Sequence, residues 1–329
     1  MSKKDLSIVL GEYIIDDPKP FARGAFSQVY RCRKKNSSTY DYVAKEVDNK
    51  YDDIIAYEQE MIRALGEVDS KYVLRYKKIV AKGKATYFIT RFCNSGDLDK
   101  HLVDIVFSNP WEAQLMIPNL VESISAIHEA NIIHRDIKAA NFFLHKSKKN
   151  GKLMAILGDF GFGKSEEGKK DVAVSTVVGT PVTMAPEVWN NESYSLPADV
   201  WSLGIVVYNL CFGSYPFDKD VKQKISDKKY SIPPFFSISG DCIKLIEHCL
   251  QEDPKRRPKS ADIFKLYPGI KEDLKEQDLF FVKKEIPMRI DKMRLKDSLE
   301  ELEKKDYKDP DPYLELISRG TKDRSNSTK

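Results

Sequence analysis

His134-Arg135-Asp136-Ile137-Lys138-Ala139-Ala140-Asn141 is the stretch whose reading decides the fold, and Asp159-Phe160-Gly161 follows it a short way down the chain. The two motifs place a candidate proton acceptor, a cation, an amide oxygen and a second carboxylate close together in sequence. Asp136 is ionised at neutral pH, since an unperturbed aspartate titrates near ~4, and so accepts a hydrogen bond from a hydroxyl. Asn141 and Asp159 offer hard oxygen atoms of the kind Mg²⁺ takes while keeping part of its water shell. Either motif alone reads equally well as a turn or a cap. In this order they point to phosphoryl transfer, with Mg-ATP held against a substrate hydroxyl.

The rest of the chain has to supply a fold for that chemistry. Its 329 residues suit one bilobal domain or two smaller ones. The 54 basic and 50 acidic residues leave a net charge of +4, a mixed surface that gives no reason to expect a nucleic-acid partner. No apolar run approaches the ~18 residues of a membrane span. The opening Met1-Ser2-Lys3-Lys4-Asp5 lacks the apolar segment of a secretory signal, and Ser2 stands where myristoylation needs glycine. Five widely spaced cysteines form no CxxC pair. A reduced, intracellular and most simply cytoplasmic chain is expected.

Periodicity divides the chain. Phe26 to Cys32 and Tyr40 to Val47 alternate like strands around a turn at Lys34 to Ser38. Ile54, Glu58, Met61, Ile62 and Leu65 then fall on one helical stripe. Tyr72 to Val80 and Ala85 to Thr90 read as two more strands. Beyond Asp97 helical spacing dominates, and Pro118 is expected to kink its helix. The pattern predicts an α+β, bilobal fold: a small β-rich lobe with one helix over about 13–92, a linker near Arg91 to Gly96, and a larger helical lobe over about 97–267. Residues 1–12 form an N-terminal extension. Residues 268–329 form a charged C-terminal one, whose last part has too little apolar matter to fold alone.

The motifs now in view resemble those of the eukaryotic protein kinase catalytic domain, serine/threonine type, over about residues 13 to 267. The resemblance implies an enzyme that uses ATP and Mg²⁺. It casts Asp136 as the base or hydroxyl-orienting group, and Lys138 as a neutraliser of charge and a mark of serine/threonine specificity. Asn141 and Asp159 become the metal ligands. Phe21-Ala22-Arg23-Gly24-Ala25-Phe26-Ser27-Gln28-Val29 matches the phosphate loop, keeping only the middle one of three glycines, with Val29 against the adenine. Val43 and Lys45 match the strand that presents a lysine to the phosphates. Its partner carboxylate is Glu58, with Glu60 as the alternative. Thr90 matches the gatekeeper, Arg91 to Cys93 the hinge with the Arg91 side chain toward solvent, and Leu144 the floor of the adenine pocket.

His134 and Phe160 match a packed column that continues through Ile62. Glu187 and Arg257 resemble a buried ion pair bracing the large lobe, and Asp199 an acceptor for the backbone of the catalytic loop. Thr183 replaces the usual aromatic before Met184, and Thr180 matches a residue linking the catalytic aspartate to the substrate side. Thr176, with Ser175 as the alternative, stands where related kinases carry an activating phosphate that Arg135 and Lys164 would receive, set there by an upstream kinase. Two other readings stay open: a pseudokinase scaffold, for which the eroded glycine loop speaks, and a kinase of small molecules.

Overall fold

The computed structural model describes residues 7–24, 26–102, 114–161, 164–165, 181–190, 194–217, 230, 232 and 238–270. The C-terminal extension beyond 270 and the phosphate-acceptor candidates Thr176 and Ser175, with Thr180 and Ala25, lie outside them.

The small lobe is built from β1 (Ile8–Leu10), β2 (Tyr13–Ile15), β3 (Ala22–Arg23), β4 (Ser27–Lys34), β5 (Tyr42–Asp48), helix α1 (Asp52–Leu65), β6 (Tyr76–Lys82) and β7 (Ala85–Arg91). The strands form one antiparallel sheet in the order β1-β2-β4-β5-β7-β6, with β3 paired to β4 beside β2. The sheet reaches back past the expected boundary at 13, because Gly11 takes the left-handed backbone (φ 64°) that a tight turn between β1 and β2 needs. Lys82 Nζ donates to the Val9 carbonyl at 2.9 Å, so the two edge strands approach and the sheet curls around Leu10, Tyr13, Ile15, Tyr30, Cys32 and Ile89. The residues 72–74 do not extend β6. Val73 instead bridges to Leu157 of the large lobe, and Leu74 N–H donates to the Leu157 carbonyl at 2.8 Å.

Helix α1 begins on Asp52 and Asp53 and carries Arg63 in its last turn, charges that suit the helix dipole. Its buried stripe is Ile55, Glu58, Met61 and Leu65, with Ile55 rather than Ile54 facing inward. Met61 and Leu65 join the core of the large lobe, which couples the helix to both lobes.

The large lobe holds α2 (Ile117–Glu129), β8 (Ile132–Ile133), β9 (Phe142–Lys146), β10 (Leu153–Leu157), β11 (Lys164–Ser165), α3 (Pro186–Trp189), α4 (Leu196–Phe212), α5 (Gly240–Cys249) and α6 (Ile263–Leu266). Pro118 does not kink α2. It occupies the first turn, where no intrahelical partner exists for the missing N–H. Helix α4 is buried almost all round, as its continuous apolar sequence requires, and ends on Gly213 at φ 72°. Among the described residues no helix is long and apolar enough to cross a membrane. The five cysteines are free thiols.

Candidate active site

Strand pairing sets the roof of the site. Phe21 N–H donates to the Val29 carbonyl and Gly24 N–H to the Ser27 carbonyl, both at 2.9 Å, closing a tight turn. A Cβ on Gly24 would meet the Ser27 hydroxyl at 2.8 Å, so a larger residue there would have to turn that hydroxyl aside. Val29 lies opposite Lys45, and Val43 opposite Thr90. By alternation Val29, Val43 and Lys45 share a face, while Tyr30 and Ala44 point into the small-lobe core. Gln28 pairs with Glu46 on that other face, so its side chain does not join the expected nucleotide residues. Phe26 also turns away, its ring edge-to-face with Tyr51 at 5.1 Å.

Lys45 is the electrostatic centre. Its amine lies 3.1 and 2.9 Å from the two Glu58 carboxylate oxygens and 3.7 Å from Asp159 Oδ1. Burial alone would push the amine down, but Glu58 and Asp159 outweigh it and hold the value above that of ordinary lysine. Glu58 is fully buried and Glu60 exposed, which decides between the two candidates. Sequence reading missed a third member: Tyr76 donates its hydroxyl to Glu58 Oε1 at 3.2 Å. Burial, with Glu58 and Asp159 beside it, raises the Tyr76 hydroxyl well above its usual range, so it stays a donor. Nothing in the spacing of Tyr76 marks it for this contact.

The floor comes from the turn after β8. Asp136 is 4 % exposed. Lys138 Nζ sits 2.8 Å from its Oδ2, and Asn141 Nδ2 donates to the Asp136 carbonyl at 2.7 Å and to Oδ2 at 3.1 Å. That leaves the Asn141 amide oxygen as an acceptor. The Asn141 carbonyl takes the Gly158 N–H at 2.9 Å, which ties the first motif to the second just before Asp159. Gly158 is tightly enclosed: a Cβ there would meet Phe143 at 2.7 Å and Leu74 at 2.9 Å. Asn141 and Asp159 together offer hard oxygens to a divalent cation.

Two functional residues adopt left-handed backbone, Arg135 at φ 67° and Asp159 at φ 57°. Such conformations persist only where surroundings impose them. Asp199 does so for the first, accepting the N–H of His134 at 2.7 Å and of Arg135 at 3.0 Å. His128, a second residue missed in the sequence, bridges Asp199 at 3.2 Å to Ser260 at 2.9 Å. His134 packs on Phe160 with ring centres 4.8 Å apart and also contacts the Gly158 carbonyl at 3.1 Å.

Arg135 lies over the Tyr194 ring at 5.4 Å, and its buried Nε has no hydrogen-bond partner among the described residues. Lys164 is described by its backbone alone, paired to Ile133. Arg257 donates to both Glu187 oxygens at 2.7 and 2.8 Å, and its remaining donors meet the carbonyls of Gln251, Pro197 and Glu252. Thr183 is buried, its carbonyl accepting the Ser202 hydroxyl at 2.7 Å.

The linker between the lobes carries Thr90, buried, then Arg91 to Cys93. Arg91 is exposed, as expected, and its guanidinium also meets His145 Nε2 at 2.7 Å. Burial pushes the Cys93 thiol up to about 11. Leu144 is buried on β9, its N–H donating to the Gly96 carbonyl at 2.8 Å, so β9 is pinned under the linker.

Comparison with known proteins agrees with this geometry. The model of the protein kinase domain matches residues 19–266. A putative serine/threonine-protein kinase A of Trypanosoma brucei brucei is 31% identical over 229 residues, covering 67% of this chain and 52% of that protein. Serine/threonine-protein kinase Nek5 of Homo sapiens is 30% identical over 263 residues, 75% of this chain and 35% of that protein. A probable serine/threonine-protein kinase zyg-1 of Caenorhabditis elegans is 29% identical over 240 residues, 73% and 31%. The chain thus spans about a third to a half of the length of these relatives.

Proposed function

Because this chain belongs to the protein kinase domain family, we propose that it is an active serine/threonine protein kinase that transfers the γ-phosphate of Mg-ATP to hydroxyls of protein substrates. The observation that carries the reading is the occupied charge set: Lys45 paired with Glu58, Asp136 with Lys138, and Asn141 tied to the segment that delivers Asp159.

When bound, Mg-ATP supplies the phosphoryl group and a metal charge that neutralises it. Lys45, mostly shielded from water and kept cationic, holds phosphate oxygens. Asn141 and Asp159 hold the metal. Asp136 orients the incoming hydroxyl and takes its hydrogen bond, while Lys138 at 2.8 Å balances the charge that collects there. The single-glycine turn at Gly24 gives the backbone its close approach to phosphate. Val29, Val43, Thr90 and Leu144 form the apolar walls for the base.

Regulation belongs to the same proposal. A phosphate on Thr176, or on Ser175, set by an upstream kinase would add about −1.5 to −2 charges for Arg135 and Lys164 to receive. Arg135 supports this with a buried Nε that has no partner among the described residues. The free thiols suit a reducing compartment such as the cytoplasm.

Phosphoamino-acid analysis tests the substrate class. Incubated with labelled ATP and a generic basic protein, the chain yields phosphoserine and phosphothreonine, and Thr176→Ala lowers the rate. Label confined to tyrosine, or found only on small-molecule acceptors, would overturn the reading. A catalytically silent scaffold is the outcome in which no label is transferred at all.

A further inference from the structure

Arg31 stands on β4 two residues past Val29 and opposite Val43. Its neighbours Tyr30 and Cys32 point into the small-lobe core, so alternation puts Arg31 on the face of Val29, Val43 and Lys45. Arg31 is exposed, but it does not simply extend into water. It lies against two rings: its guanidinium carbon is 4.6 Å from the centre of the Phe92 ring and 5.8 Å from that of Phe21. The rings meet edge-to-face at 6.1 Å and 79°.

The two phenylalanines belong to parts of the site that are remote in sequence. Phe21 is the root of the phosphate loop, immediately before Ala22-Arg23-Gly24. Phe92 lies in the linker, its N–H donating to the Asp41 carbonyl at 2.9 Å. Phe21 is 51 % exposed, so the core does not hold its ring. A planar, weakly hydrated guanidinium stacked on aromatic faces does so instead.

We infer that Arg31 is a positioning residue for nucleotide binding, a latch that ties the root of the phosphate loop to the linker through Phe21 and Phe92. The inference rests on the nucleotide cleft proposed above. With Ala22 and Ser27 in place of glycines, the loop has less backbone freedom than three glycines would give it, which shifts its bending toward the root. Pinning the root therefore sets how often the mouth of the cleft opens, and with it how long a nucleotide stays. The latch touches neither the phosphates nor the hydroxyl acceptor, so it acts on affinity and leaves the transfer step alone.

The test compares the whole chain with Arg31→Ala, Arg31→Lys, Phe92→Leu and the Arg31→Ala/Phe92→Leu pair. Two readouts are taken: equilibrium binding of a fluorescent ATP analogue, and hydrogen exchange of the Phe21 amide in the free protein. Arg31→Ala is expected to weaken binding and speed that exchange, each about three- to tenfold, the range set by one or two cation–π contacts. KM for ATP rises while kcat at saturation stays level, and Arg31→Lys recovers part of the loss. The pair is no worse than its stronger single, because both remove one contact. Unchanged binding and exchange in Arg31→Ala, or fully additive losses in the pair, would overturn the latch. If the unsubstituted chain binds no nucleotide, the proposed function fails, and the latch is then decided by the Phe21 exchange alone.

Discussion

Lys45 concentrates the argument at the scale of the residue. Two carboxylates and a tyrosine hydroxyl meet around it or its partner, and the balance of their charges keeps the amine protonated against its own burial. Replacing it with methionine keeps the length and volume of the side chain but strands Glu58, which has only 1 % of its side chain exposed. Lys45→Met is expected to lower phosphate transfer by at least a hundredfold while the far-ultraviolet circular dichroism stays native. A variant with more than a tenth of the wild-type rate would contradict the role given to Lys45. Residues such as Asp136, Lys138 and Asn141 were legible in the sequence because their chemistry is packed into one covalent run. Tyr76, His128 and the ring pair on Arg31 were not, since each becomes a neighbour only when distant strands and helices are brought into register.

At the scale of the element, the site depends on how closely helices and strands approach. Helix α4 crosses α5 at Gly204, where an added Cβ would lie 2.5 Å from Cys249 Cβ and 3.1 Å from Leu250. The Leu250 methyl can swing aside but the Cys249 Cβ, fixed to its backbone, cannot, so Gly204→Ala must separate the helices. It should cost about 1–3 kcal/mol, read as a fall in Tm of several degrees, whereas an unchanged Tm would mean that the crossing is looser than described. The Arg257–Glu187 pair is the other brace. Glu187→Gln leaves a buried guanidinium facing a neutral group and should cost about 3–5 kcal/mol in urea unfolding; a cost under about 1 kcal/mol would place the pair among surface bridges. Periodicity located α1, β4 and β5 well, because each has a wetter and a drier face, whereas β7 is buried on both faces up to Arg91. It failed at residues 72–74, whose apolar side chains pack against the large lobe instead of continuing a sheet. It failed at Pro118 too, since a spacing rule does not say where the first turn begins.

At the scale of the whole molecule, one polar contact bears on the linker between the lobes. Arg91 donates to His145 Nε2 across 2.7 Å, which requires a neutral imidazole. Burial first, then the Arg91 charge, push the His145 value below its ordinary one; a hydrogen bond with the Phe92 backbone opposes them, Lys148 adds to the lowering and Asp41 opposes it least. A depressed value means that the unfolded chain binds the proton more readily. The stabilisation is therefore complete above ~6.5 and is lost as the pH falls from there through the folded value. Between pH 7.5 and 5 the Tm of the unsubstituted chain is expected to fall more steeply than that of His145→Gln; parallel slopes would remove His145 from the account. The bilobal architecture itself was legible from the switch between strand and helix periods. The curl of the small lobe was not, because it depends on Lys82 of one edge reaching Val9 of the other.

The proposed function puts the lobes, the linker and the paired charges in the service of one act, the passage of phosphate past Asp136. The most direct measurement is the single-turnover rate of γ-phosphate transfer by the full chain and by Asp136→Asn, with nucleotide affinity determined on the same samples. The amide conserves shape and still accepts from Asn141, but it carries no charge. A fall of about a hundredfold or more in transfer, with nucleotide affinity within about twofold, is the predicted result. Equal transfer by the two proteins, or no transfer by either, would contradict it.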